Sequence, residues 1–275
     1  MIAKNKKVMI TSIILVIGFV LWTIFPILMI AQQSIKPRLL MFNDPPALFF
    51  SPTMDHFTNI FTRQDILSFV KNSLVIAVFS TMACLLLGSL AAYALSSLKV
   101  PGGNAWALVI LAARMIPTGT LMIPVYVIMR NLGFINTYLA VIIVHTALNL
   151  PFAIWMMRSF FDDVPPVLQQ AAMVDGCSRF ATFCRIALPL AAPGLVATGI
   201  LTMLNSWNEF MFALILTGRN TRTLPVGISS FIGSISIDWG ASSAAAIVSS
   251  VPIFIAGILI QKYLIRGMTM GAVKG

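Results

Sequence analysis

The stretch Asn72–Leu98, NSLVIAVFSTMACLLLGSLAAYALSSL, contains no charged residue, no proline and no alternation of apolar with polar positions. A bilayer's hydrocarbon core takes about 20 apolar residues of α-helix, whereas a barrel strand takes about ten with a two-residue alternation. The segment therefore reads as a membrane-spanning helix. Five others are long enough and predominantly apolar without alternation: Val8–Ala31, Trp106–Met129, Tyr138–Met157, Leu188–Leu216 and Ala241–Ile260. Together they predict an all-α fold, a polytopic bundle of six transmembrane helices in one domain over residues 1–275, with a cytoplasmic loop at 158–187. Small residues four apart (Gly88, Ala92, Ser96; Ser242, Ala246, Ser250) mark faces where helices can approach closely.

Composition points the same way. The 275 residues are 59% hydrophobic and 9% charged, with mean hydropathy +0.94, against about 25% charged residues in soluble domains. The net charge of +10 is not organised for nucleic acid, since the basic residues form no stripe and have no aromatic-studded surface. They sit at the ends of the apolar runs, where they set topology. With the N-terminus inside, Lys4, Lys6, Lys7, Lys99, Arg158, Arg179, Arg185, Lys262, Arg266 and Lys274 fall on the cytoplasmic side. Lys36, Arg38, Arg63, Lys71, Arg130, Arg219 and Arg222 fall outside. Ten against seven, with three lysines before the first span, places both termini in the cytoplasm. The first apolar run is too long for a signal peptide and no A-x-A site follows it.

The loop between spans four and five is unlike its surroundings. Pro165-Pro166 suits a helix start, because proline's missing N–H is not needed in the first turn. Leu168, Ala171, Ala172 and Asp175 then share one face of a shallow helix, and Gly176 is its natural stop. Ser178 can cap a second helix, followed by Phe180, Phe183 and Ile186 at three-residue steps. On physical grounds alone, such a pair packs under its own bundle, lies in the headgroup region or docks on a partner.

Gln170-Ala171-Ala172, Gly176 after three intervening residues, and Ile186, Leu188 and Pro189 after nine more resemble the EAA loop of ABC importer permeases, with Gln170 in place of the family's Glu. Ser206–Thr217 (SWNEFMFALILT), Thr223–Phe231 (TLPVGISSF), Asp238–Ala246 (DWGASSAAA) and Arg266–Gly275 (RGMTMGAVKG) resemble the carbohydrate-uptake (CUT1) branch of that family. The resemblance implies a permease subunit that imports a sugar or sugar-like solute across a bacterial inner membrane. It further implies a coupling helix built on Gln170, Ala171, Ala172, Asp175, Gly176, Phe180, Phe183 and Ile186, seated in a cytoplasmic ATPase dimer. The implied partners are that ATPase pair, a second permease subunit, an extracytoplasmic solute-binding protein and the lipid bilayer, with no nucleic acid. ATP and Mg would bind on the ATPase, and none on this chain. The Arg219–Asp238 loop would reach into the binding protein and the tail from Arg266 would touch the ATPase.

The chain has no G-x-x-x-x-G-K-[ST] sequence, so it carries no phosphate-cradling loop of its own. His56 and His145 stand in no H-E-x-x-H pattern, and Cys84, Cys177 and Cys184 have no zinc-like spacing. The expectation is a non-catalytic subunit with no metal site. His145 reads as an interhelical polar residue. Two charged residues lie inside spans, Arg114 and Glu209, at a cost of about 2.5–3.5 kcal/mol for Arg or Asp at a helix centre on insertion scales. Glu209 either braces the bundle or joins Asn205, Trp207 and Asn208 in lining a solute pathway. Arg114 either bonds carbonyls freed near Pro117 or meets an anionic solute. Pro117, Pro124 and Pro151 permit kinks in spans three and four. The alternative to an importer subunit is a self-contained channel or secondary transporter for a polar solute, which needs no motor.

Overall fold

The computed structural model describes residues 6–62, 65–98, 100–231 and 237–272. Lys4, Arg63, Lys99, Lys274 and the tail beyond residue 272 lie outside these ranges, as do the side chains of Lys6, Lys7, Lys262 and Arg266. In chain order the helices are α1 (Lys6–Ser34), α2 (Asp55–Thr62), α3 (Ile66–Ser97), α4 (Gly103–Ala112), α5 (Thr118–Asn131) and α6 (Tyr138–Asp162). There follow α7 (Pro166–Val174), α8 (Arg179–Thr182), α9 (Leu188–Leu190), α10 (Ala192–Trp207), α11 (Met211–Leu216), α12 (Leu224–Ser229) and α13 (Trp239–Ala272). A π-helical turn, Phe183–Ala187, joins α8 to α9.

Four stretches are each long and apolar enough to cross a bilayer: Val8–Ser34, Ile66–Ser97, Tyr138–Asp162 and Trp239–Leu259. Two bent pairs raise the number to six if each counts as one span. The third expected span is not one helix. It breaks over Ala113–Pro117, where Gly103–Met115 and Thr118–Asn131 meet at 91°. Pro117 has no N–H to continue the ladder, and Ile116 before it is extended at ψ 122°. The fifth expected span breaks twice. Arg179–Leu190 meets Ala192–Trp207 at 77° between Pro189 and Pro193, and α10 stops at Trp207 before α11 resumes at Met211. The fourth runs past Met157 to Asp162, because Met157 and Phe161 are buried and Arg158 pairs with Asp162 one turn on. The connection from α6 to α7 therefore begins about a turn later than residue 158.

The chain divides into two compact units. One comprises Met1–Ile66 with Ile228–Val251. No residue of α1 from Val8 to Ile30 is buried, which suits a helix whose solvent is lipid. Beyond it the chain folds back on itself: Thr53 N–H donates to the Ile35 carbonyl (2.8 Å), and buried His56 sits with Nε2 2.8 Å from the Lys36 carbonyl. Arg38 pairs with Asp238, whose second oxygen accepts from the Ala241 N–H (3.1 Å) and so caps α13. The buried face of α13 here is Ala241, Ala244 and Ala245, not the expected Ser242–Ala246–Ser250 stripe, which is half-exposed.

The second unit, Leu67–Gly227 with Pro252–Gly275, packs α3, α6 and α10 at close range. A Cβ on Gly88 would lie 3.1 Å from the Ala153 Cβ, and one on Gly199 would lie 3.1 Å from Leu85 Cδ1. One on Gly194 would fall into the Phe160 ring. Two apolar clusters result. One gathers Tyr93, Ile154, Met157, Phe161 and Phe183. The other gathers Ile76, Met129, Val141, Val144, Phe212 and Leu216.

Between the clusters along α6 runs a buried polar chain. His145 is 1% exposed, and its Nε2–H donates to Glu209 Oε2 (3.0 Å). In the neutral ring Nδ1 then accepts from the Ser206 hydroxyl (2.7 Å), and Ser206 Oγ accepts from Ser80 (3.0 Å). Glu209 also accepts the N–H groups of Phe212 (2.9 Å) and Ala213 (3.0 Å), amides at the start of α11 that its own helix cannot satisfy.

Two outcomes follow from this packing. Gly194→Val is expected to lower stability by about 1–3 kcal/mol through overpacking, read as a fall in Tm in detergent. Glu209→Ala and His145→Ala are each expected to destabilise, and their double mutant to lose less than the sum by about 0.5–3 kcal/mol. Additive losses in the same thermal assay would mean the two residues act separately.

Candidate functional site

The connection from α6 to α10 is built from local rules. Pro166 opens α7 in its first turn. The helix closes with a Schellman motif: Gly176 at φ +92° donates to the Met173 carbonyl (3.2 Å), and Cys177 donates to that of Ala172 (2.9 Å). Ser178 then caps α8, its hydroxyl accepting from the Ala181 N–H (3.2 Å). The turn is thus held by glycine's access to positive φ and by a cap two residues later.

Packing decides which side of this element is free. Phe183 is 5% exposed, with its ring centroid 5.1 Å from that of Tyr93 and 6.1 Å from that of Phe161. It is a root in the bundle rather than part of an outer face. Ala172 likewise turns inward with Gln169, three residues before it on the same helix edge. Ile186 is half-buried. The outward rim comprises Leu168, Gln170, Ala171, Val174, Asp175 and Phe180, with Val174 87% and Phe180 66% exposed. Under it lies a cavity of about 390 Å³ lined by Ser96, Asp162, Gln169, Gln170 and Met173, among others. Ser96 donates to Asp162, tying the ends of α3 and α6 together at this level.

The residues expected on a solute pathway separate. Asn205 and Asn208 are exposed one turn apart at the end of α10, with the Asn208 amide donating to the Leu204 carbonyl (2.9 Å). Trp207 between them is 2% exposed and offers no free ring face to a sugar. Glu209 is committed to His145 and to the start of α11. Arg114 is exposed in the turn between α4 and α5, its guanidinium 5.1 Å from the Phe152 ring centroid.

Ser206 as the partner of His145, and Ser80 behind it, were not anticipated from the sequence. The signal was present on α10, where Thr198, Thr202 and Ser206 recur every four residues in an apolar run and are all buried. Nor was Asn72 anticipated. That amide donates to the carbonyls of Asn220 (3.1 Å) and Arg222 (2.9 Å) and accepts from the Tyr138 hydroxyl (2.7 Å). Ser73 accepts from the Leu224 N–H (2.8 Å), so the connection from α11 to α12 is pinned to α3 and α6. Its three polar contacts come from residues more than 60 positions away, which no local pattern encodes. Among the described residues no group of His, Cys, Asp and Glu could hold a metal ion.

Comparisons with known proteins converge on this arrangement. Residues 84–270 match the family described as binding-protein-dependent transport system inner membrane component. The chain is 35% identical over 274 residues to the sulfoquinovosyl glycerol transport system permease protein SmoH of Agrobacterium fabrum, covering 99% of this chain and 94% of that one. It is 35% identical over 283 residues to the trehalose/maltose transport system permease protein MalG of Thermococcus litoralis, covering 98% and 99%. Its fold is similar to a chain of a bacterial ABC transporter involved in alginate import, with a TM-score of 0.79 at 21% identity, covering 96% of this chain and 99% of that one. The family match spans most of the chain and the relatives align over nearly their whole length, so this protein belongs to the family of inner-membrane permease components of binding-protein-dependent ABC transporters.

Proposed function

We propose that this chain is one of two permeases in an ABC importer that carries a sugar or sugar-like solute into the cytoplasm. The solute class is supported by relatives named for sulfoquinovosyl glycerol and for trehalose and maltose. A second permease completes the pathway, an ATPase pair binds ATP and Mg on the cytoplasmic side, and a solute-binding protein delivers at the outer loops. Both termini face the cytoplasm.

One observation carries the reading: the α7–α8 element has an exposed apolar rim and a buried aromatic root. Val174, Leu168 and Phe180 are free on the rim, while Phe183 is locked against Tyr93 of α3 and Phe161 of α6. A partner that moves the rim must therefore move the root, and the root moves α3 and α6, against which it packs. A flexible loop would need neither the capping residues nor the aromatic root.

The mechanism follows as a shift between two conformers. ATP binds the closed ATPase pair better than the open one, and that differential affinity is what drives the permeases outward-open. The breaks at Ala113–Pro117 and at Ala191 divide spans into segments that can tilt separately, which suits rocking about a central pathway. The His145–Glu209 pair holds α11 to α6 during that motion. The loop rooted on Asn72 and Ser73 gives the binding protein a fixed contact.

The direct test is reconstitution of the chain with its second permease, ATPase and binding protein in vesicles. Uptake that requires ATP and binding protein is expected, and uptake by this chain alone without ATP would replace the importer with a channel or secondary transporter. Within the importer, Gly176→Pro cannot adopt φ +92° and loses the N–H that closes α7. We expect it to insert in the membrane and to lower solute uptake per ATP hydrolysed by about tenfold or more, equivalent to about 1.4 kcal/mol of lost coupling. Uptake per ATP equal to wild type would remove α7–α8 from the coupling path.

A further inference from the structure

Arg114 is the one basic residue inside the six expected spans, and Glu209 is the one acid. The two do not pair. Among the described residues the ion pairs are Arg38–Asp238 and Arg158–Asp162, and Glu209 is hydrogen-bonded by His145. Both oxygens of Glu209 are taken, by His145 and by the amides of Phe212 and Ala213. The guanidinium therefore has no counter-charge from its own chain at this depth.

Nor does it reach a membrane surface. It lies 5.1 Å from the Phe152 ring centroid, and Phe152 falls between the ends of α6 at Tyr138 and Asp162. At 1.5 Å per residue the ring is about 21 Å from the first end and about 15 Å from the second. That is close to the middle of a hydrocarbon core about 30 Å thick. A long basic side chain near a helix end would snorkel to the headgroups, but this one is held at mid-depth over a ring face. Lipid phosphate is thereby out of reach. The side chain is nonetheless exposed on the chain's surface, at the 91° break between α4 and α5.

The guanidinium's five N–H donors form a planar fork that matches the oxygens of a carboxylate, sulfonate or phosphate, and none of the ion pairs among the described residues uses them. Intramembrane charges of this kind face a pathway or a partner. We infer that Arg114, positioned by Phe152, receives the acid group of the transported solute, so that the importer carries an anionic sugar derivative. The inference rests on the importer reading above and narrows its substrate class.

The test uses the whole transporter in vesicles and pairs of probes, neutral glycosides with their 6-carboxylate and 6-sulfonate counterparts. Wild type is expected to take up the charged member of a pair in preference. Arg114→Gln should lower the charged-to-neutral uptake ratio by about tenfold or more, and Arg114→Lys, which keeps the charge but not the fork, by less. ATP-driven uptake with the same ratio in wild type and Arg114→Gln would overturn the anion site and leave the importer standing. Uptake that needs no ATP but keeps an Arg114-dependent ratio would support the site and overturn the motor. If Arg114→Gln fails to co-purify with the second permease, Arg114→Lys decides. A lowered ratio in that variant supports the site, and an unchanged one assigns Arg114 to a carboxylate on the partner permease.

Discussion

Close backbone approach along α6 is the constraint on which the membrane unit depends. Gly88 of α3 meets Ala153, and Gly194 of α10 meets Phe160, so neither neighbour can carry a side chain at its crossing point. In lipid there is little hydrophobic gain from helix association, and packing contact with hydrogen bonding must supply it. The small residues let the helices come near enough for both. Side chains that would otherwise be too short to reach then meet across helices, as Ser80 and Ser206 do at 3.0 Å.

That proximity also explains how a bundle so poor in polar residues tolerates a carboxylate. Glu209 is in contact with three donors, one from a neighbouring helix and two from the start of α11. Those two amides would be orphaned by the interruption between Trp207 and Met211, so the charge and the helix break satisfy each other. Arg114 is the opposite case. It too lies at an interruption, but its contact is an aromatic face, and among the described residues it pairs with no acid. One intramembrane charge is spent on structure and the other is left available.

The α7–α8 element joins this bundle through aromatic contacts rather than through charge. Phe183 inserts between Tyr93 and Phe161, while the rim above stays apolar and open. Gln170, where the related loops carry Glu, stands on that rim and over the cavity that Asp162 also lines. The element's shape comes from its glycine turn and serine cap, both of which are independent of that exchange. Rigidity at the root and exposure at the rim are the two properties a docking element needs, and they arise from different residues.

Much of this was written in the linear sequence. Uncharged runs long enough to cross a bilayer determined the helical membrane class, because hydrocarbon permits few other backbones. Pro166, Gly176 and Ser178 determined where α7 and α8 start and stop, since capping and positive φ act over only a few residues. Tertiary structure decided what depends on distant neighbours. It turned Ala172 inward and Leu168 outward, although both belong to one expected helix face, and it turned Phe183 inward and Phe180 outward on the next. It broke the third and fifth spans at Pro117 and near Pro193, where a hydropathy window sees only continuous grease. It buried Trp207, joined His145 to Glu209 across 64 positions, and left Arg114 on an aromatic ring with no acid beside it. Periodicity says that a face is apolar or polar, but only packing says which neighbour fills it, and that choice separated the charge that braces the bundle from the one that is free to bind.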